Sequence, residues 1–134
     1  IQKQTETEKS RNKLIEKLHR ALQTDFNLNH LSGYPFEEHG ILRFYICDNE
    51  GNQLSSNFNF ADGHWFEDPK QKGFNWSWRP YFFQLLAMEK PNEQDHSTTS
   101  EPYRDSNTGQ LCKTLTTRLD SERILMVDLS VNYD

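Results

Sequence analysis

Nine consecutive residues, Asn75-Trp76-Ser77-Trp78-Arg79-Pro80-Tyr81-Phe82-Phe83, bring five aromatic rings and one guanidinium together in an otherwise polar chain. Ser77 is suited to cap a helix, and Pro80 is tolerated in a first turn whose amides have no intrahelical partner. The pattern predicts that this helix runs through Phe82, Phe83, Leu85, Leu86 and Met88 until Pro91 stops it. Trp76, Trp78 and Arg79 then stand at a helix entrance, where free amides and the positive dipole end favour a small anion. A plainer reading fills the core with the rings and lets Arg79 reach back to water.

Asp128 interrupts the most apolar stretch of the chain, where a carboxylate is costly unless something pairs with it. Tyr103 and Asp105 fall where an edge strand meets its turn. With the helix packed over a sheet, Arg79 and Tyr81 would face Tyr103, Asp105 and Asp128. One cation, two anions and phenolic donors then surround an aromatic-lined pocket for a small polar ligand. The structural alternative is an ion pair between Arg79 and one aspartate that only fixes the helix on the sheet.

No catalytic constellation accompanies these residues. His19, His30, His39, His64 and His96 are scattered singly, with no metal spacing. There is no nucleophile elbow and no phosphate-cradling glycine loop. Asp48-Asn49-Glu50-Gly51 and Asp105-Ser106-Asn107-Thr108-Gly109 lack the further ligands of a calcium loop and read as hairpin turns. The sequence thus predicts a non-enzyme with no cofactor, no metal site and no catalytic residue. Asn75-Trp76-Ser77 also fits a glycosylation acceptor, a pattern that matters only in a secreted eukaryotic protein.

The elements that position these side chains must fit into 134 residues, enough for one core. Apolar content is 34% and aromatic content 13%, so rings dominate that core. A net charge of -5 gives no pull towards nucleic acid or anionic membrane. No run of about 18 apolar residues is present to span a bilayer. Cys47 and Cys112 belong to no metal motif and read as thiols of a reducing compartment, with a disulfide as the alternative. The chain opens on Ile1 and reads as a piece of a longer protein.

Residues 1–25 predict an amphipathic helix, with Leu14, Leu18 and Leu22 on one stripe and Thr5 and Glu8 as a capping box. The first dozen residues lack the stripe and are expected to project as a linker or dimer strut; the alternative is a helix folded back over the sheet. Residues 26–134 form the domain proper. Ile41-Leu42-Arg43-Phe44-Tyr45-Ile46-Cys47 and Asn52 to Phe58 predict a hairpin about Asp48–Gly51. Gly63 to Glu67 is expected to be irregular. Ser97 to Tyr103 reads as an edge strand bent by Pro102, and Gln110 to Leu119 and Arg123 to Leu129 as two more strands. The expected class is α+β: an antiparallel sheet of about five strands with helices to one side.

The motifs resemble the C-terminal sensor domain of YkuI-type EAL proteins. They are Arg43-Phe44-Tyr45-Ile46-Cys47-Asp48, Gly51-x-Gln53-x-Ser55-x-Asn57, Asn75 to Phe82, Ser100-x-x-Tyr103-x-Asp105, Thr108-Gly109, Lys113-Thr114 and the Asp128 strand. The similarity runs in order from about Leu42 to Leu129. It implies a PAS-like domain, related to Cache (PDC) sensors, that follows a cyclic-di-GMP phosphodiesterase (EAL) domain in a cytoplasmic bacterial protein. It further implies a homodimer whose N-terminal helix leads to the upstream EAL domain. In the wider Cache group, an arginine before Pro-aromatic-aromatic binds a ligand carboxylate, and a tyrosine and aspartates bind its amine. Carried over, these roles fall on Arg79, Tyr81, Tyr103, Asp105 and Asp128, with Trp76 and Trp78 lining the site. Tyr81 and Phe82 depart from the Trp and Tyr of amino-acid sensors. Two other classes remain as alternatives: a structural dimerisation module without ligand, and an extracytoplasmic Cache sensor of a transmembrane receptor.

Overall fold

The computed structural model describes residues 6–23, 36–77, 97–105 and 109–131. One helix and seven strands are defined there. They are α1 (Glu6–Gln23), β1 (Ile41–Asp48), β2 (Asn57–Ala61), β3 (His64–Asp68), β4 (Ser97–Thr99), β5 (Tyr103–Arg104), β6 (Leu111–Arg118) and β7 (Arg123–Ser130). All strands belong to one antiparallel sheet in the order β3-β2-β1-β7-β6-β4, with β5 also on β6. The α+β class and the antiparallel sheet are as the sequence implies, and the additional strands have simple causes.

Gly63-His64-Trp65-Phe66-Glu67 was expected to be irregular, but β3 pairs residue by residue with β2 across a turn at Asp62 and Gly63, both at positive φ. Trp65 turns into the core and pairs with Phe44, Phe36 and Phe60 edge-to-face, while Phe66 is 51% exposed on the sheet edge. The stretch from Ser97 to Tyr103 divides at Glu101-Pro102 into β4 and β5, since proline cannot donate to the ladder. The return arm of the first hairpin is regular only from Asn57. Before it, Leu54 and Ser55 both donate to the Ile46 carbonyl, a local widening of the ladder.

The turn between the arms is built by Asp48, whose Oδ1 accepts from the Glu50 and Asn52 amides at 2.9 Å each. Gly51 takes φ +89°, and a Cβ there would stand 2.7 Å from the Ser77 backbone nitrogen. Glycine is therefore required twice over, for the dihedral and for the approach of the 73–77 segment. That segment lies along the turn through Gln53 N to Phe74 O (2.8 Å) and Trp76 N to Gly51 O (2.8 Å).

Side-chain alternation gives the sheet two unlike faces. On one, Phe44, Ile46, Phe58, Leu125, Val127 and Leu129 meet Leu14, Ile15, Leu18 and Leu22 of α1 in a single apolar cluster. The stripe of α1 thus covers its own sheet, and Arg11, in the stretch expected to project, is buried as well. Polar bonds pin the end of the helix: His19 Nε2 donates to Arg118 O (2.7 Å) and Gln23 Nε2 to Leu119 O (2.8 Å). The opposite face carries Arg43, Tyr45 and Cys47 of β1 beside Asp128, Met126 and Ile124 of β7.

A bulge sets this division. Ile41 pairs with Leu129 and Arg43 with Asp128, so one extra residue, Leu42, is inserted in β1. Ile41 and Arg43 would share a face in a regular strand. Here Ile41 enters the α1 core and Arg43 the opposite face.

The central helix expected after Pro80, with Trp78, Arg79 and Tyr81, lies outside the described residues, as do Thr5 and the tip of the turn at Ser106, Asn107 and Thr108.

Candidate functional site

Asp128 holds the middle of β7, a strand apolar on both sides, so its carboxylate needs a partner within the sheet. The register supplies one, because Arg43 is its direct neighbour on β1 and Thr114 its neighbour on β6. Arg43 Nη1 donates to Asp128 Oδ2 at 2.6 Å, and Thr114 Oγ1 donates to Asp128 Oδ1 at 2.8 Å. Asp105 follows β5 directly and is held there by its backbone, with Gly109 N donating to Asp105 O (2.8 Å) and Asp105 N to Gln110 O (2.9 Å). Its two oxygens accept from Arg43 Nη1 (2.8 Å) and Nη2 (3.0 Å), a two-point carboxylate fork. Arg43 Nε donates to Asn59 Oδ1 at 2.8 Å. Tyr103, paired with Cys112, places its hydroxyl 2.5 Å from Thr114 Oγ1 and 3.5 Å from Asp128 Oδ1.

The three charged side chains are almost wholly buried: Arg43 is 6% exposed, Asp105 5% and Asp128 3%. Burial alone would lower the proton affinity of Arg43, but hydrogen bonding to Asp105 and the charge of Asp128 outweigh it, and the net direction is up. Asp128 is also raised, chiefly by burial, against the pull of Arg43 and Thr114. For Arg43 the pairing outweighs burial, and for Asp128 burial outweighs the pairing. Both fit a guanidinium that stays charged and is shared by two carboxylates, of which Asp128 is the deeper and keeps its proton to higher pH than a free aspartate.

Trp76 borders the same face. Its ring lies 6.0 Å from Tyr45, and its Nε1 donates to Gln53 Oε1 at 2.9 Å. Gln53 is held in turn by donating to Ser55 O (2.8 Å) and Asn57 Oδ1 (3.0 Å). Between the charged end and Trp76, Thr116 sits fully buried opposite Met126, and its Oγ1 has no hydrogen-bond partner.

Of the residues singled out in the sequence, Tyr103, Asp105 and Asp128 come together here, and Trp76 stands further along the same face. Arg79, Tyr81 and Trp78 lie outside the described residues. The cation on both aspartates is Arg43, which the sequence reading counted only as part of a strand and of a motif. The signal was legible: Arg43 breaks an apolar strand just as Asp128 does, and opposite charges in adjacent strands can pair directly. Among the described residues no cluster of His, Cys, Asp and Glu is suited to a metal ion.

Cys47 and Cys112 are free and lie on this face too. Cys47 pairs with Ile124 and Cys112 with Ser130, six positions apart on β7 or about 20 Å, far beyond disulfide reach. Burial, reinforced by Asp48 and Asp128, pushes the Cys47 thiol up to about 12; burial and then Asp128 push Cys112 to about 11. Both thiols are therefore expected to resist an aromatic disulfide reagent at mildly alkaline pH and to react fully in denaturant. Fast labelling of the native chain would contradict this burial.

A family model described as "EAL-domain associated signalling protein domain" matches residues 1–134. A curated relative, the uncharacterized EAL-domain containing protein YkuI of Bacillus subtilis (strain 168), is 35% identical over 91 residues. That match covers 68% of this chain and 22% of the relative. The crystal structure of B. subtilis YkuI, with an EAL domain and in complex with substrate c-di-GMP and calcium, superposes with a TM-score of 0.66 at 26% identity. It covers 96% of this chain and 34% of that one, so this chain corresponds to about a third of the solved protein. The fold alone is shared with the ligand-binding domain of the Pseudomonas fluorescens chemoreceptor CtaA, solved with L-isoleucine (TM-score 0.54, 19% identity, 92% of this chain and 49% of that one). The same holds for the Campylobacter jejuni chemoreceptor Tlp3, solved with 4-methylisoleucine (TM-score 0.54, 14% identity, 91% and 49%). No helix among the described residues is long and apolar enough to cross a membrane. The family match over residues 1–134, the YkuI relative and the YkuI structure agree, and the chain belongs to the family of EAL-domain-associated signalling domains.

Proposed function

We propose that this chain is the non-catalytic sensory domain of a cytoplasmic bacterial cyclic-di-GMP signalling protein. In this reading residues 26–134 form the sensor, residues 1–25 lead to an upstream EAL domain, and the domain works as a homodimer. A small ligand or partner binds the sheet face that carries Tyr103, Asp105, Asp128 and Trp76, with Trp78, Arg79 and Tyr81 completing the site. Occupancy favours one of two arrangements of the dimer, and α1 passes that bias to the catalytic domain.

The observation that carries the reading is the charged cluster of Arg43, Asp105 and Asp128, buried on the sheet face turned away from α1. A fold held only for its stability gains little from such a cluster, since apolar residues of similar volume are often as stable or more so. β1 and β7 carry both layers: Arg43 and Asp128 point to this face, and their neighbours Phe44 and Val127 to the α1 core. A change at the site therefore acts on strands that α1 also packs against.

The test is a thermal-shift screen of the chain with amino acids, amines, small carboxylates and nucleotides. A ligand that binds only the folded state raises Tm by mass action. A rise abolished by Arg79→Ala supports the sensor. Silence across the panel, with a dimer present in solution, would replace the sensor with a structural dimerisation module.

A further inference from the structure

We propose that the chain itself fills the cation place of this site, so that the ligand carries no ammonium group and offers a hydrogen-bonding atom to Thr116. The inference rests on the sensor reading and names the chemistry of its ligand.

Two buried carboxylates side by side ordinarily recruit a cation. Here Asp105 and Asp128 already have one, and all four of their oxygens are engaged. Both Asp105 oxygens accept from the Arg43 fork, Asp128 Oδ2 accepts from Nη1, and Asp128 Oδ1 accepts from Thr114. An alkylammonium is a point charge with no planar fork. To enter, it would have to break a two-point pairing and leave a buried guanidinium without its carboxylates. Arg43 cannot swing aside freely, because Nε is also fixed on Asn59.

A second observation directs attention along the same face. Thr116 lies two residues beyond Thr114 on β6, about 7 Å away, and turns its hydroxyl to the same side. Thr114 Oγ1 is fully used, with Asp128 on one side and Tyr103 on the other. Thr116 is 0% exposed and its Oγ1 has no partner. Buried hydroxyls are nearly always bonded, so this one is suited to pair with a donor or acceptor from outside the chain. Met126 opposite it on β7, and Tyr45 beyond Met126 on β1 with Trp76 against its ring, make the surroundings of that hydroxyl apolar. Neutral compounds and carboxylates both meet this description, and amines do not.

The experiment compares amines with their N-acetyl counterparts and with carboxylates of the same skeleton, reading the Tm of the chain. We expect saturable rises only from non-cationic members. Thr116→Val, which keeps the volume, should raise the Tm of the free chain by about 3–6 °C and abolish the ligand-induced rise. A fall in the Tm of the free Thr116→Val chain would overturn the assignment of Thr116. An amine that raises the wild-type Tm, with the rise lost in Asp105→Asn, would overturn the inference and leave the sensor reading intact.

The cation place is probed without any ligand of the sensor. In Arg43→Ala, methylguanidinium should restore Tm saturably while leaving the wild type unmoved. A folded Arg43→Ala chain that ignores methylguanidinium overturns the proposal. Should that variant fail to fold, methylammonium on the wild type decides, since any saturable rise refutes a filled place. Silence of every panel compound on the wild type, together with methylguanidinium rescue of Arg43→Ala, would count against the sensor reading and for the internal cation.

Discussion

Arg43→Ala is expected to lower the unfolding free energy by about 3–5 kcal/mol at neutral pH, because it strands two carboxylates in a buried layer. The loss should shrink on acidification. Asp128 already has a raised proton affinity in the fold, from burial opposed by Arg43, and removing the guanidinium raises it further. A carboxyl whose folded value exceeds the ordinary 3.8 takes up protons on folding, so its stabilising contribution is present at low pH and lost as pH rises through the folded value. Urea titrations of wild type and variant across that window should therefore converge towards acid. Asp128→Asn should remove much of the pH dependence of the Arg43→Ala chain. A deficit below about 1 kcal/mol, or one constant with pH, would show that the cluster is solvated rather than buried.

Leu18→Ala is expected to cost about 3–4 kcal/mol. Leu18 is 0% exposed in the layer between α1 and the sheet, beside Leu14, Leu22 and the inner faces of β1 and β7. The loss combines transfer of the removed methyl groups with a cavity that a helix clamped at His19 and Gln23 cannot collapse. Hydrogen exchange should then show α1 amides opening well below the global unfolding free energy. A cost under about 1 kcal/mol would mean that α1 does not rest on this sheet in solution. The same variant in an EAL-containing protein tests whether helix docking governs output.

The sequence made the interior of the sheet legible. β1, β6 and β7 follow from alternation and turn chemistry, and β7, apolar on both faces, stands between β1 and β6 in the interior of the sheet. The edges were harder to read. β3 has one inward ring, Trp65, and outward residues that carry no periodic signal. β4 and β5 are three and two residues long, too short for a period to show. The stripe on α1 was plain, but spacing alone does not say which surface covers it; the packing of Leu18 and Leu22 supplies that.

At the site, Asp105, Asp128 and Tyr103 were accessible to reasoning because a carboxylate in an apolar strand demands a partner. Arg43 answers that demand, yet a strand position gives no register. Only the pairing of β1 with the last strand, 85 residues later, brings Arg43 to Asp128. Contacts at that separation depend on topology, which local sequence does not carry.

The extra residue at Leu42 has a consequence for how this stretch tolerates change. Leu42 is only half-buried, so its identity is weakly constrained, whereas its presence keeps Ile41 and Arg43 on opposite faces. Deleting it would act on side chains as a frameshift acts on codons. Either Arg43 would point into the apolar layer under α1, or Ile41 and the chain before it would be pulled out of that layer. Variation here should therefore appear as substitutions and not as changes of length. A homologue that has lost one residue between Gly40 and Arg43 should have lost the arginine with it.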